Sequence, residues 1–292
     1  MPEDEIHNRR FTKIYLALWG ICFFVGAVAF VLYRFGFRLT NRFEPVKVGS
    51  VDILSNESGA QIFFDNREKQ ISFENGVYHV GTVAPGLHSI LISKEGFWPW
   101  TKTVEVSADT RKTLFAFVFT MDGLLTNVIS AGTAEYSDAL RSVRQNVAPR
   151  VGGESAPFDP DTSFNVWLEK SVPDRKLSRD KSTVLFTEHN TIYLGWVSET
   201  DPPPHYFCET NPCKLKMPVT VSSDEVKNVD FYKERADVVL FSAGASIYAI
   251  EADREGTQNF QPLYRGVDPY FYENAEGSLY IKDGGTLVKA VL

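Results

Sequence analysis

The longest apolar run in the sequence lies near the amino end of the chain. Residues 14–33, IYLALWGICFFVGAVAFVLY, contain no charged side chain. An α-helix of this length is about 30 Å long, at about 1.5 Å per residue, and matches the hydrocarbon core of a bilayer. A cleaved signal peptide would have a shorter apolar region and a small-residue cleavage site, whereas RFGFRL follows this run. The pattern predicts an uncleaved transmembrane helix over 14–33, after a short leader over 1–13.

The orientation of this helix depends on the charges that flank it. Basic residues occur on both sides, and they are Arg9, Arg10, Lys13, Arg34, Arg38 and Arg42. Cytoplasmic flanks are enriched in Lys and Arg, so similar charge on both sides leaves the orientation open on this criterion. Because a short leader before a signal-anchor usually stays inside, we expect a cytoplasmic leader and extracytoplasmic C-terminal domains.

Alternating apolar and polar residues begin after a polar stalk over 34–48. The segments VDILS, AQIFFDN and LHSILIS have the period of two that is typical of half-buried strands. The dipeptide Asn75-Gly76 is a strong signal for a hairpin turn. Short strands joined by such turns predict a small antiparallel β-sandwich over 49–119.

A cluster of aromatic residues follows a glycine turn in the segment TVAPGLHSILISKEGFWPW. Trp98 and Trp100 begin the strand that comes after Gly96. In a domain of about seventy residues the core is small, so large rings contribute much of the buried apolar surface. We therefore expect these rings to pack in the core or at its edge. The alternative is that Trp98 and Trp100 are exposed and contact a sugar or a lipid.

Several motifs in this region resemble those of the PEGA domain, a small β-sandwich of bacterial cell-envelope proteins. They occur in the family's order as ESGAQIFFDN, APGLHSILISKEGFWPW and TKTVEV. The namesake turn reads ESGA, without the family's proline, and Asn66 replaces the usual glycine. The loop REKQISFENGVYHVG departs most from the family pattern. The resemblance covers residues 49–119 and implies a β-sandwich that carries no catalytic residues.

The pattern changes after the predicted sandwich. Residues 120–181 include two turn-rich or charged stretches, GGESAPFDPDT and SVPDRKLSRDKS, which predict an irregular linker. Residues 182–292 return to short apolar strands. Three of these strands contain an Ile-Tyr or Leu-Tyr pair, beginning at Ile192, Ile247 and Leu279. These pairs are 55 and 32 residues apart. Strands that recur at intervals of a few tens of residues are typical of propeller blades.

The last hundred or so residues also resemble the C-terminal β-propeller that follows the PEGA domain in a group of bacterial membrane proteins. The segments that carry this resemblance are PPHYFCETNPC, VDFYKERADVVLFS, IYAIEAD, NFQPLYRG and LYIKDG. A closed propeller needs at least about four blades, and this region holds three at most. Either the propeller is partial or residues 121–180 contribute strands. The predicted fold is all-β, with one N-terminal transmembrane helix, a PEGA-like sandwich and partial propeller-like sheets.

The charge of the chain limits its classes of partner. The formal net charge is −7. A nucleic-acid-binding surface is expected to be basic, so no nucleic-acid partner is predicted. The predicted partners are the lipid bilayer, through residues 14–33, and an envelope protein or a cell-surface polysaccharide.

The cysteines favour an oxidising compartment. Cys22 lies inside the apolar run, while Cys208 and Cys213 occur in the proline-rich loop PPPHYFCETNPCK. Structural zinc sites usually have four ligands, and only His205 lies nearby in the sequence, so a metal site that uses these thiols is disfavoured. A loop-closing disulfide between Cys208 and Cys213 is favoured over free thiols.

The sequence lacks the common catalytic and cofactor-binding motifs. It contains no H-E-x-x-H, no G-x-S-x-G and no glycine-rich phosphate loop in a suitable context. Asp159, Asp161 and Ser163 could offer oxygen ligands to calcium, but they lack the spacing of an EF-hand. We therefore expect no cofactor, no metal and no enzymatic activity.

These patterns together favour a non-enzymatic protein of the bacterial cell membrane that binds or scaffolds other envelope components. One alternative is a glycan-binding surface module, which exposed Trp98, Trp100 and Trp196 would favour. A second alternative is a hydrolase with its site in a propeller-like cleft, which would require clustered histidines and carboxylates with shifted pKa values.

Overall fold

The structure is a computed structural model that describes residues 3–39, 44–152, 163–208, 212–233 and 235–292. β-Strands are the main regular structure of the described chain, and three α-helices occur among the described residues. The helices are α1 (Glu3–Arg34), α2 (Ala134–Gln145) and α3 (Phe164–Ser171). Two compact units are formed: unit 1 comprises Met1–Ile90 and Thr103–Phe117, and unit 2 comprises Leu91–Lys102 and Val118–Leu292. A β-rich chain with one apolar N-terminal helix is therefore confirmed.

Helix α1 contains the apolar run predicted to cross the bilayer. The span Tyr15–Arg34 has a mean hydropathy of 2.3, and none of it is buried within the protein. A helix that is apolar on every side and unburied has the length and composition to cross a membrane. The helix begins at Glu3, so it also includes most of the predicted leader.

The predicted stalk over 34–48 contains a short hairpin. Strand β1 (Phe37–Leu39) pairs antiparallel with β2 (Pro45–Lys47), and residues 40–43 lie outside the described residues. The guanidinium carbon of Arg38 lies 3.9 Å from the centre of the Tyr33 ring. A cation above an aromatic ring is attracted by the ring's electrons, so this contact stabilises the end of α1.

Eight strands follow in the segment predicted to be a sandwich. They are β3 (Gly49–Ser55), β4 (Gln61–Phe64), β5 (Arg67–Lys69), β6 (Phe73–Glu74), β7 (Val77–Val83), β8 (Gly86–Ser93), β9 (Trp100–Val106) and β10 (Arg111–Ala116). They form two four-stranded sheets, in the orders β10-β3-β7-β6 and β5-β4-β8-β9. Apolar side chains on the inward side of these strands, such as Val51 and Ile53 on β3 and Ile90 on β8, are almost fully buried.

One strand pair differs from the antiparallel arrangement that we expected. Strand β10 runs parallel to β3, with Lys112 opposite Val51. The strand that precedes β10 is β9, which belongs to the other sheet. No tight hairpin joins β10 to its neighbour β3, so the antiparallel direction that a hairpin imposes does not apply.

Two tight turns in unit 1 use residues that tolerate a left-handed backbone. Asp65 and Asn66 have φ values of 51° and 60°, and Asn75 and Gly76 have φ values of 51° and 83°. Two-residue hairpin turns of type I′ need positive φ at both positions, which Asn, Asp and Gly adopt most easily. Asn66 can therefore occupy a turn position that requires a positive φ.

Asp65 also links two of the motifs quoted above. His88 Nδ1 lies 2.7 Å from Asp65 Oδ2, and the backbone N–H of Ser89 donates to Asp65 Oδ1 at 3.0 Å. The other ring nitrogen of His88 lies 2.7 Å from the carbonyl oxygen of Ala84. Both nitrogens of His88 are thus engaged in connecting β8 to the end of β4, which is a structural role.

Unit 2 contains three four-stranded sheets. Their strands are β11 (Thr126–Val128), β12 (Lys176–Leu177), β13 (Thr183–Glu188), β14 (Thr191–Trp196), β15 (Lys216–Val221), β16 (Val226–Tyr232), β17 (Arg235–Ala243), β18 (Ser246–Glu251), β19 (Phe260–Arg265), β20 (Pro269–Glu273), β21 (Ser278–Asp283) and β22 (Thr286–Val291). The orders are β12-β13-β14-β15, β16-β17-β18-β19 and β11-β22-β21-β20, and neighbouring strands are antiparallel. The sheets are not closed into a barrel or a propeller.

The internal repeat of unit 2 lies in its hairpin turns. Each sheet has a two-residue turn between its two middle strands, and the first residue of each turn has a φ of 54°: His189, Gly244 and Gly284. The pairs at Ile192 and Ile247 follow this turn, on β14 and β18, but the pair at Leu279 precedes it, on β21. The Leu279 pair is therefore not equivalent to the other two, and the tyrosine spacing that we read as a repeat is partly wrong.

The segment 120–181 is not the irregular linker that we expected. It contains β11, α2, α3 and β12, and β11 completes the sheet that holds the last strands of the chain. Helix α2 begins after Thr133, whose hydroxyl accepts a hydrogen bond from the N–H of Tyr136 at 3.1 Å. Short helices take most of their stability from tertiary packing, so their own sequence predicts them poorly. The calcium candidates Asp159 and Asp161 lie outside the described residues.

Helix α3 packs on the first sheet of unit 2. Phe164, Trp167 and Leu168 form one buried cluster with Val184 and Phe186 of β13. The Phe164 and Trp167 rings are stacked with their centres 5.8 Å apart. The apolar side of α3 therefore covers the first strands of the region that we predicted to start at residue 182.

A glycine on β14 lets this helix approach the sheet. A Cβ atom at Gly195 would lie 2.5 Å from Cζ of Phe164 and 2.8 Å from Cγ2 of Val184. Both distances are shorter than a carbon–carbon contact can be, and Phe164 is buried. The side chain of residue 195 must therefore be hydrogen for Phe164 to keep this position.

We expect Gly195→Ala to lower the free energy of unfolding by about 1–3 kcal/mol, the usual cost of overpacking a core. Chemical denaturation of the purified protein measures this quantity. Gly285→Ala is a matched control, because a Cβ there would meet nothing within 4 Å. In a Phe164→Leu background the penalty of Gly195→Ala should shrink. An unchanged penalty would contradict the steric explanation.

Candidate functional site

A buried ion pair lies in unit 2. Lys102 Nζ is 3.1 Å from Glu251 Oε2, and the two side chains are only 4% and 5% exposed. Lys102 lies on β9, and Glu251 is the last residue of β18. Buried opposite charges are stable only where hydrogen bonds satisfy the remaining atoms of both groups. The residues around this pair, namely Trp100, Lys102, Glu251, Asp253 and Asn259, are called the Glu251 cluster below.

The Glu251 carboxylate receives donors on both of its oxygens. The indole N–H of Trp100 donates to Oε1 at 2.7 Å. The side-chain amide of Asn259 donates to Oε2 at 3.0 Å, beside the Lys102 ammonium. Asn259 is held in turn by the backbone of Thr101, whose N–H donates to Oδ1 at 2.9 Å and whose carbonyl accepts from Nδ2 at 2.8 Å. The carboxylate is thus fully enclosed by donors.

The Lys102 ammonium is equally well satisfied. Besides Glu251, Nζ lies 3.0 Å from Asp253 Oδ2 and 3.1 Å from the carbonyl oxygen of Asp253. The carbonyl oxygen of Thr257 lies 3.4 Å away. A lysine ammonium has three protons to donate, and these oxygens can accept all of them. Lys102 therefore acts as a cationic bridge between β18 and the turn that follows it.

Asp253 extends the Glu251 cluster to the protein surface. His205, which begins a short 3-10 helix (His205–Phe207), places Nε2 at 3.2 Å from Asp253 Oδ2. The His205 side chain is 58% exposed, whereas that of Asp253 is 17% exposed. The backbone N–H of Glu255 donates to the other oxygen, Oδ1, at 2.8 Å. A continuous series of polar contacts thus runs from buried Lys102 through Asp253 to exposed His205.

The two carboxyl groups of the cluster have pKa values shifted in opposite directions. Burial raises the pKa of Glu251 above its ordinary value of 4.5, although the Lys102 charge and the surrounding donors oppose this shift. Burial also acts on Asp253, but hydrogen bonds from His205 and the Glu255 N–H, together with Lys102, outweigh it. The pKa of Asp253 lies well below its ordinary value of 3.8, so this group stays ionised near neutral pH.

This arrangement limits what the cluster can do chemically. A general acid or base must reach its substrate and exchange a proton with it. Lys102 and Glu251 are buried and form an ion pair with each other. Because its pKa is low, Asp253 stays ionised and has no proton to donate. The exposed groups next to Asp253, at the surface end of the Glu251 cluster, are His205 and Glu255. Imidazole and carboxylate groups of this kind are common metal ligands.

The two cysteines of the proline-rich loop form the predicted disulfide. Cys208 and Cys213 are bonded, with their Cα atoms 4.1 Å apart. The bond lies three residues after His205 and closes the loop that leaves the short helix. Cys22 is a free, exposed cysteine on α1. The disulfide therefore fixes the chain next to the exposed end of the Glu251 cluster.

The aromatic residues proposed as an exposed contact surface are mostly buried. Trp100 is 1% exposed and Trp196 is 7% exposed, so neither offers a ring face to a ligand. Trp98 is partly exposed, but its indole nitrogen is buried without a hydrogen-bond partner among the described residues. Trp100 thus packs in the interior, as the favoured prediction had it, and its N–H donates to Glu251; the alternative of an exposed Trp100 is wrong. Of the three tryptophans on which the glycan-binding alternative depends, only Trp98 is partly exposed.

The Glu251 cluster was not predicted from the sequence, although β9 contains a signal for it. The inward positions of this strand are Trp100, Lys102, Val104 and Val106, so a lysine stands where the alternation calls for an apolar residue. A charged residue at an inward position requires a buried partner of opposite charge. The partner, Glu251, is 149 residues away in the sequence and has no local signal.

A groove in unit 2 is lined by residues that do not belong to the Glu251 cluster. This groove of about 780 Å³ is lined by segments 121–124, 245–248 and 262–265. Tyr248, Tyr264 and Arg265 contribute to it, and Asp122 is the one carboxylate among its lining residues. The clustered histidines and carboxylates that the hydrolase alternative requires do not line this groove.

Comparison with solved structures includes a distant similarity. No protein-family model matches the chain, and no curated protein matches it. The chain is similar to the crystal structure of a protein of unknown function from Bacteroides fragilis that has been suggested to be membrane-associated. The identity is 9%, the match covers 84% of this chain and 94% of that chain, and the TM-score is 0.20. A similarity at this level carries no argument about fold or function.

Proposed function

We propose that this protein is a single-pass membrane protein whose β-rich body binds or scaffolds other components of a bacterial cell envelope without enzymatic activity. The observation that carries the proposal is helix α1. Its span Tyr15–Arg34 is apolar, long enough to cross a bilayer, and unburied by the rest of the described chain. A bilayer is the environment that accepts such a surface at least cost.

The β-rich body supports a display role through its architecture. The two sheets between Gly49 and Ala116, with Asp65 and His88 linking two of their motifs, support a PEGA-like sandwich. The three four-stranded sheets of unit 2 support a partial propeller-like region. Modules of these classes present loops and strand edges to partners, and a membrane helix would keep those surfaces near the bilayer.

Two further features support an extracytoplasmic, non-enzymatic body. The Cys208–Cys213 disulfide fits an oxidising compartment, because cytosolic thiols are normally kept reduced. The deeply buried ionisable side chains Lys102 and Glu251 satisfy each other in the protein interior. The burial of Trp100 and Trp196 weighs against a glycan-binding surface, so an envelope protein is the favoured partner.

The proposal predicts which part of the chain faces the outside. A variant in which serine replaces Cys22, Cys208 and Cys213 should be given a single cysteine by Asn190→Cys, in the turn between β13 and β14. We expect a membrane-impermeant maleimide to label this cysteine in intact spheroplasts. The matched variant Glu5→Cys, in the leader, should be labelled only after lysis. The reverse pattern would overturn the proposed topology.

A further inference from the structure

The exposed end of the Glu251 cluster brings together three potential metal ligands. His205 Nε2 lies 3.2 Å from Asp253 Oδ2 and 3.6 Å from Glu255 Oε2. All three ligand atoms lie within 4.8 Å of one another. Zinc binds nitrogen and carboxylate oxygen at about 2.0–2.1 Å, so two ligands of a tetrahedral site lie about 3.3 Å apart. The two distances from His205 are close to this edge length.

The local charge matches a divalent cation. Lys102 Nζ lies 3.1 Å from Glu251 Oε2 and 3.0 Å from Asp253 Oδ2. Glu251, Asp253 and Glu255 together bring three carboxylates to this region, beside the one ammonium of Lys102.

The ligands are also held in position by their surroundings. Asp253 Oδ1 accepts the backbone N–H of Glu255 at 2.8 Å, and Lys102 donates to Oδ2 at 3.0 Å. The chain beyond His205 is closed by the Cys208–Cys213 disulfide. Groups that orient the direct ligands raise the affinity of a metal site. The exposure of His205 leaves a path for the cation and room for a water molecule.

We infer that His205, Asp253 and Glu255 form a three-ligand zinc site whose fourth position is open to water. An imidazole among the ligands favours zinc over magnesium and calcium, which prefer all-oxygen sites. The bound ion would connect the loop of residues 205–213 to the turn of residues 251–259. This inference is independent of the proposed membrane topology and of the envelope partner.

The test is a zinc competition titration on the full-length protein. The protein is purified in detergent without a histidine tag, kept oxidised, stripped with a chelator, and titrated with Zn²⁺ against a chromogenic chelator. We expect one zinc per chain in the parent protein. His205→Ala and Glu255→Gln should each weaken zinc binding at least tenfold. Ca²⁺ and Mg²⁺ should not compete at a tenfold excess over zinc.

Matched controls separate loss of a ligand from loss of the fold. His189→Asn removes an exposed histidine at a hairpin turn, and Glu199→Gln removes an exposed carboxylate. Both should bind zinc as the parent does. Circular dichroism of the zinc-free proteins should be the same for all five. The inference is overturned if the parent binds no zinc, if folded His205→Ala binds as tightly as the parent, or if Ca²⁺ or Mg²⁺ displaces the zinc.

Discussion

Replacing Lys102 by methionine should lower the free energy of unfolding by about 3–5 kcal/mol. The substitution keeps an unbranched side chain of similar length but leaves the buried Glu251 carboxylate without its counter-charge. Removing one partner of a buried ion pair costs this much because the other charge stays out of water and unpaired. Chemical denaturation in detergent, followed by circular dichroism, measures the change.

Two comparisons identify the cause of this loss. Lys69→Met removes a lysine from an exposed strand and should change the free energy of unfolding by no more than about 0.5 kcal/mol. The double variant Lys102→Met with Glu251→Gln should recover much of the loss, because glutamine has no charge to bury and its oxygen can still accept from Trp100. A double variant no more stable than Lys102→Met would show that the unpaired charge is not the cause.

The destabilisation should also depend on pH. The pKa of Glu251 is already raised by burial, and Lys102 opposes that rise, so losing Lys102 should raise the folded-state pKa further. A carboxyl group with a raised pKa binds its proton more tightly in the folded state than in the unfolded state. The difference in the free energy of unfolding between the parent and Lys102→Met should therefore become smaller as the pH falls through the folded-state pKa of Glu251 towards 4.5. A gap independent of pH would contradict an ionised Glu251.

Deleting residues 1–34 should move the protein from the membrane fraction to the soluble fraction. Large side chains of α1, including Trp19, Phe23 and Phe24, are exposed on the protein. Each contributes about 1.5–3 kcal/mol on transfer from water to an apolar medium, so even these three together favour the bilayer by more than about 4 kcal/mol. Flotation of cell lysates in a density gradient distinguishes membrane-bound protein from aggregates.

The matched control keeps the composition and length of the apolar segment but changes the order of its residues. A chain in which residues 14–33 are scrambled at constant composition should still float with the membranes, because insertion depends on hydrophobicity and length. Full recovery of the deletion variant in the floating fraction would mean that another part of the chain holds the protein on the bilayer. The role assigned to α1 would then be wrong.

Local features of the fold were predictable because short-range physics determines them. The apolar run from residue 14 to 33 has one stable environment, and the helix is present there. Asn75-Gly76 forms a hairpin turn because both residues adopt positive φ at low cost. Strands β16, β17, β18 and β19 form one sheet in sequence order, as successive hairpins require.

Features that depend on distant partners were not predictable in this way. Strand β11 is three residues long and exposed, and only its pairing with β22 makes it a strand. Helix α3 depends on the space that Gly195 leaves for Phe164, which no local periodicity reveals. Lys102 was visible as a lysine at an inward position, but its acceptors lie in a turn about 150 residues later.

The pairing of β11 with β22 has a consequence for synthesis of the protein. Thr126–Val128 leaves the ribosome long before Thr286–Val291 is made, and β22 lies between β11 and β21 in the finished sheet. Until that late segment has been translated, β11 and β21 each expose an unpaired edge to other chains and to proteases. Completion of this sheet therefore depends on a strand that is made late, and nascent chains that stall before it keep both edges open to quality-control proteases.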